Sequence, residues 1–104
     1  MRVSMDRFQD AVEAAVASIP DAFGPYLENT QFVIERRSGQ GLLGLYEGST
    51  ALKAGEWLPE RVTIFKEEHE AEVDSWEELV EEVRRTILHE VGHHFGMGEE
   101  DLPF

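Results

Sequence analysis

The sequence contains no cysteine. This excludes disulfides and thiolate metal sites together, and it leaves the 4 histidines and the carboxylates as candidate metal ligands. No stretch approaches the roughly 18 apolar residues of a membrane span. The first seven residues also lack the apolar run of a signal peptide. We therefore expect a cytoplasmic protein that does not enter a membrane.

Basic residues are scarce. The 104 residues contain 9 Lys and Arg against 22 Asp and Glu, for a net charge of −13. Residues 53–104 alone hold 15 acidic and 5 basic side chains. Such a surface repels phosphate backbones, so we expect no nucleic-acid partner. It could favour metal cations or basic peptides, although a solvated face that keeps the protein soluble is the simpler interpretation.

The length predicts a single domain over residues 1–104, with a helix at each end. Apolar residues recur at helical spacing from Phe8 to Ile19, with Asp6 as the expected N-cap and Pro20 as the stop. Strands are predicted at 31–35, 42–47 and 61–66, with a loop over 48–59. Ser75 and Glu78 form a capping box for a helix over about 76–95, closed by Gly96. The pattern predicts an α+β fold: a small sheet of about three strands with helices on one face.

The last helix contains His-Glu-Val-Gly-His at residues 89–93. Two histidines four residues apart project from the same side of a helix, one turn apart, as two ligands of one tetrahedral metal require. Glu90 lies between them and the core, where its carboxylate can reach a water on the metal. The pattern indicates zinc bound by His89 and His93, with Glu90 as the catalytic base.

The helical wheel separates this motif from the core. At about 100° per residue, one narrow arc holds the expected core face, with Leu88 and Phe95 beside it. His94 falls at the edge of that stripe, so we expect packing or a hydrogen bond there. His69 stands in an acidic stretch, and we expect it to be solvated. The residues of the arc are Trp76, Val80, Val83, Ile87 and Val91.

With Gly96 included, the motif resembles the zincin superfamily in its H-E-x-x-H-x-x-G form. More narrowly, the chain resembles the minimal zincin-like metallopeptidase family, small bacterial proteins of similar length. Gly-Leu-Tyr-Glu-Gly at 44–48, the segment 58–65 and the segment 83–88 carry that resemblance. It implies a compact sheet, an active-site helix beneath a cleft, zinc at the motif and peptidase chemistry.

The third zinc ligand departs from one branch of the superfamily. Metzincins place a third His ten residues after the first, and here that position is Glu99. A carboxylate can complete a site with two His, and Gly96 and Gly98 allow the chain to turn back. Glu99 is the first choice, followed by Asp101 and Glu100. An upstream residue, another chain or no third ligand are the remaining options.

These residues predict a zinc-dependent metallopeptidase that cleaves a peptide or protein substrate with a zinc-activated water. The substrate could extend along an edge strand, supplied by 43–47 or by 62–65. Two alternatives belong to other classes: a zincin-fold binding module with a weak or inactive site, and a metal-dependent hydrolase of a non-peptide substrate. The sequence does not indicate an oligomeric state or a side-chain preference.

Overall fold

The computed structural model describes residues 1–28, 30–48 and 60–97. Helix α1 (Met5–Ala17) is followed by a 3-10 turn (Asp21–Phe23) and the short helix α2 (Gly24–Leu27). Strands β1 (Thr30–Glu35), β2 (Gly44–Glu47) and β3 (Glu60–Phe65) come next. Helices α3 (Lys66–Glu70) and α4 (Trp76–His94) complete the described elements. The predicted α+β class, the two terminal helices and the three strands are confirmed, with strand bounds shifted by one or two residues.

The sheet has the order β1-β3-β2. Strand β1 pairs with β3 in parallel and β2 pairs with β3 antiparallel. Since β3 is central, it cannot offer an edge to a substrate, and the prediction that 62–65 might do so is wrong. Of the two segments predicted to bind a substrate, 43–47 and 62–65, only the one that contains β2 lies at an edge of the sheet.

The register determines which side of the sheet meets the helices. Phe32, Val62 and Tyr46 form one cross-strand row, and Ile34, Ile64 and Gly44 form the next. Side chains two apart on a strand share a face, so both rows lie on one face of the sheet. Val62 and Ile64 of that face are buried in the same cluster as residues of α1 and α4, so the face meets these two helices. The core lies between this face and the two helices, as predicted. Its buried apolar residues include Phe8, Ala11, Val12, Ala15, Val62, Ile64, Leu79, Val83, Ile87, Leu88 and Val91.

The helix starts follow local capping rules. Helix α1 begins two residues earlier than predicted, since Ser4 and not Asp6 is its N-cap and accepts from Arg7 N–H at 3.1 Å. At α4, Ser75 Oγ accepts from Glu78 N–H at 3.2 Å, as the capping box predicts. The Glu78 carboxylate accepts a hydrogen bond from the Ser75 hydroxyl at 3.1 Å. The capping box predicts that it accepts from the backbone N–H of Ser75 instead.

Helix α4 ends at a left-handed glycine. Gly96 has φ 74°, and its N–H donates to His93 O while Met97 N–H donates to Gly92 O at 2.7 Å. This pair of bonds is a Schellman motif, and the residue in the left-handed position is most readily glycine. The predicted helix end is therefore confirmed to within one residue, and it places the motif in the last two turns of α4.

Candidate metal centre

Helix α4 is buried on two sides. It packs against α1 on one side and against β2 and β3 on the other. The buried set therefore extends beyond the predicted arc to Leu79, Thr86 and Gly92, while Phe95 is 44% exposed. A single-stripe wheel missed this because the helix has two apolar neighbours in different directions.

The motif residues share one cleft, named here the motif cleft. His89, Glu90 and His93 form one wall, and Leu42, Leu43 and Gly44 form the opposite wall. Its volume is about 440 Å³, within the range of small-ligand sites. A larger cavity of about 680 Å³ between α1 and β1 is apolar and contains no histidine. Chemistry, and not size, therefore locates the candidate site.

The two histidine rings are close enough to share a metal. Their centroids lie 5.9 Å apart with an interplanar angle of 65°. Two imidazoles on a tetrahedral zinc would have centroids about 5 Å apart, given Zn–N bonds of about 2.0–2.1 Å. Small side-chain rotations would close that difference, so His89 and His93 fit the role of two zinc ligands.

The third ligand is not defined by the described residues. Across 1–28, 30–48 and 60–97, no group of three His, Cys, Asp or Glu side chains is arranged to hold a metal ion. The three candidates predicted from the sequence, Glu99, Glu100 and Asp101, all lie outside these ranges. That assignment therefore stays a prediction.

Glu90 is anchored to the edge strand. Its Oε1 accepts the backbone N–H of Tyr46 at 3.2 Å. Phe65 N–H donates to Leu43 O, so the alternation of an antiparallel ladder turns the N–H and C=O of Gly44 and Tyr46 away from β3. Tyr46 N–H therefore belongs to the outer edge of β2, and the motif carboxylate lies directly beside that edge.

Gly44 allows this close approach. A Cβ at that position would lie 2.6 Å from Thr86 Cγ2, 3.2 Å from Thr63 O and 3.4 Å from Glu90 Cγ. Only a residue without a side chain fits so close to α4. Glycines at both ends of a short strand, here Gly44 and Gly48, are the sequence signal that could have revealed this contact.

The other two histidines differ in their surroundings. His94 stacks on the Tyr46 ring with centroids 4.1 Å apart, in agreement with the packing predicted for it. His69 is fully buried, so its predicted solvation is wrong. Its Nδ1 lies 2.7 Å from Phe65 O, and its Nε2 lies 2.8 Å from Thr86 Oγ1.

Comparison with known proteins agrees with this architecture. The family model described as zincin-like metallopeptidase matches residues 9–103. A conserved hypothetical protein from Thermo thermophilus has a similar structure, with a TM-score of 0.62 and 23% sequence identity, over 89% of this chain and 94% of that chain. At this identity the likeness shows the fold alone. No curated protein matches the sequence.

Within the described part of the chain, no helix is both long enough and apolar enough to cross a membrane.

Proposed function

The chain belongs to the zincin-like metallopeptidase family, and we propose that it is a zinc-dependent peptidase with Glu90 as its general base. One observation carries this proposal. His89, Glu90 and His93 share a cleft beneath the outer edge of β2, and a backbone N–H of that edge holds the Glu90 carboxylate. A pair of metal-binding imidazoles and a fixed carboxylate beside a strand edge is the arrangement that peptide hydrolysis requires.

The proposed metal site uses His89 and His93. Zinc bound there would supply Lewis acidity, which activates a water and polarises the scissile carbonyl. Glu99 is the proposed third ligand because of its spacing from the motif, with Asp101 and Glu100 as the alternatives. Neutral imidazoles and a carboxylate form a donor set that zinc accepts in catalytic sites.

Glu90 would transfer the proton of the attacking water. It would take a proton from the attacking water and deliver it to the amine that leaves when the peptide bond breaks. An ionised carboxylate has two oxygens and several acceptor positions. The bond from Tyr46 N–H to Oε1 can therefore orient the group while it retains capacity for the proton of a water.

The proposed substrate is a peptide or an extended protein segment. It would lie along the outer edge of β2, where the backbone groups of Gly44 and the C=O of Tyr46 point, and it would be held by main-chain hydrogen bonds. This edge runs beside the motif cleft, so a strand added there would bring its carbonyls near His89 and His93. The net charge of −13 disfavours nucleic acid as the substrate.

The test compares Glu90→Gln with the wild type on a peptide library read by mass spectrometry, with zinc measured in the same samples. We expect kcat to fall by about 10²–10⁴ because the base is lost, while roughly one zinc per chain is retained. Glu77→Gln is the matched control: the same change at an exposed position in the first turn of α4, which should leave both quantities unchanged.

His93→Ala should lose zinc and hydrolysis together, and Glu99→Ala and Asp101→Ala would identify the third ligand. Hydrolysis that persists in Glu90→Gln would contradict the proposed base. A wild type that takes up no zinc at micromolar concentration would favour a zincin-fold binding module. Zinc binding without cleavage of any peptide would favour a different substrate class.

A further inference from the structure

Three side chains beside the motif cleft form a closed set, named here the Tyr46 cluster: Tyr46 of β2, Glu60 of β3 and His94 of α4. The Tyr46 hydroxyl donates to Glu60 Oε2. The Tyr46 ring stacks on the His94 imidazole, with centroids 4.1 Å apart and planes 21° apart. His94 Nε2 lies 3.4 Å from Glu60 Oε1. Each member contacts the other two, so the cluster ties both strands to the last turn of α4.

A glycine makes room for this cluster. A Cβ at Gly48, just beyond the end of β2, would lie 2.9 Å from His94 Cε1. Contacts this short essentially never occur between real Cβ atoms and rigid rings, so a side chain there would displace the imidazole from its stack. The strand end is therefore shaped to admit His94.

Tyr46 is also the residue whose backbone N–H holds Glu90, at 3.2 Å. Tyr46 is therefore held at two places. Its ring and hydroxyl contact His94 and Glu60, and its backbone N–H donates to the Glu90 carboxylate. Because β2 has only four residues, restraint of the Tyr46 side chain also restrains its amide.

We propose that Tyr46, Glu60 and His94 are positioning residues, which hold the Tyr46 amide on Glu90 and so orient the base of the reaction proposed above. The inference rests on that proposed function for its effect on catalysis, but the restraint on the amide is independent of it. The Tyr46 hydroxyl is committed to Glu60 and therefore does not serve as a donor to the substrate carbonyl.

The protonation of the phenol supports this role. Burial, followed by the hydrogen bond to Glu60 and the charge of that carboxylate, raises the pKa of Tyr46. The hydroxyl therefore keeps its proton at neutral pH, and the bond to Glu60 remains available.

The experiment uses Tyr46→Phe, which keeps the ring and removes only the hydroxyl that reaches Glu60. The matched control is Tyr26→Phe, the same change in α2, at a ring that contacts Phe95 and not the Tyr46 cluster. His94→Gln is a second variant, which removes the stacked ring. For each protein we would measure amide hydrogen exchange at residue 46 by NMR, zinc content, and kcat and KM on a cleaved peptide.

We expect both cluster variants to speed exchange at the residue 46 amide by about tenfold, since a restrained hydrogen bond is loosened. We expect kcat to fall about tenfold, as for other supporting residues of metal sites, with KM within about twofold and zinc content unchanged. Tyr26→Phe should match the wild type in every measurement. Glu90→Gln should also speed exchange at the Tyr46 amide, because the acceptor loses its charge.

Three outcomes are distinguishable. If exchange at residue 46 in Tyr46→Phe and His94→Gln equals that of Tyr26→Phe, the positioning role is overturned, whatever the activity. If exchange responds as expected but the wild type cleaves no peptide, the cluster does hold Glu90 and the proposed peptidase function is what fails. Equal losses of zinc and kcat in both variants would also overturn the inference, because the cluster would then be supporting the metal ligands.

Discussion

His69 illustrates how a single residue can escape prediction from its neighbours in sequence. It stands between glutamates, yet it is completely buried against Phe8, with ring centroids 5.9 Å apart. The short distance from Nδ1 to Phe65 O requires a proton on Nδ1, so in the neutral ring Nε2 is an acceptor. Thr86 Oγ1 lies 2.8 Å from Nε2 and 3.0 Å from Glu82 O, and its single proton is shared between these two acceptors. Thr86 lies on α4 and lines the motif cleft, so His69 contacts the helix from the buried side at the level of the cleft.

The burial of His69 predicts a pH-dependent stability. Desolvation, partly opposed by a bond to Phe65 O and by nearby glutamates, lowers the pKa of His69. The unfolded chain therefore binds this proton first as pH falls, and the contribution of His69 is complete above about pH 6.5 and is lost below it. Urea unfolding of the wild type and His69→Gln at pH 5 to 8 would measure this.

We expect the wild type to exceed His69→Gln in free energy of unfolding at pH 7–8, and the difference to shrink as pH falls toward 5. The other titratable groups are the same in both proteins, so most of their pH dependence cancels in the difference. A difference that is constant or that grows at low pH would contradict the assignment of a neutral buried ring.

At the scale of the elements, the contact between β2 and α4 defines the candidate site. The strand has four residues and an exposed Leu45, so little apolar burial holds it. Its place depends on pairing with β3, on the bond from Tyr46 N–H to Glu90, and on Gly44, which lets the strand approach Thr86. The two contacts with α4 bring together residues more than forty positions apart in sequence.

Gly44→Ala should separate the strand from the helix. The new Cβ would meet Thr86 Cγ2 at 2.6 Å, so we expect a loss of about 1–3 kcal/mol in the free energy of unfolding, typical of overpacking. Urea unfolding of the variant and the wild type would measure this loss.

A second change tests the cause. Thr86→Ser removes the methyl group that the new Cβ would strike and keeps the hydroxyl that bonds His69. In the Gly44→Ala background it should recover part of the lost stability, with the remaining loss due to Thr63 O at 3.2 Å. A double variant no more stable than Gly44→Ala would show that the methyl group is not the obstacle.

For the whole molecule, charge is the dominant feature. A net charge of −13 on 104 residues places like charges close together on the surface, and several described cations are already paired with carboxylates, such as Arg36 with Glu67 and Lys66 with Glu70. Repulsion among the excess carboxylates destabilises the compact folded state more than the unfolded chain, in which the same charges lie farther apart.

We therefore expect salt to stabilise the protein. Raising NaCl from about 0.02 to 0.2 M shortens the Debye length, and a gain of about 1 kcal/mol would raise Tm by roughly 4–8 °C for a chain of this size. Differential scanning calorimetry in the two buffers would measure it. A Tm that falls with added salt would mean that the ion pairs outweigh the repulsion.

Local signals in the sequence were sufficient for several features of this protein. The cap at Ser75, the left-handed Gly96 and the spacing of His89 and His93 each act within a turn or two of one helix, so the periodicity and turn chemistry of that segment determine them. The α+β class follows from the same kind of pattern. Asp6 was mistaken for a cap because two nearby polar residues, Ser4 and Asp6, satisfy the same rule.

The tertiary structure alone decided which strand is central, and therefore that β2 and not β3 borders the motif. It also decided the burial of His69, the second buried side of α4 and the joining of Tyr46, Glu60 and His94. Each of these depends on pairing between segments distant in the chain, where the free energy comes from burial and hydrogen bonds formed only after the sheet and helices have met.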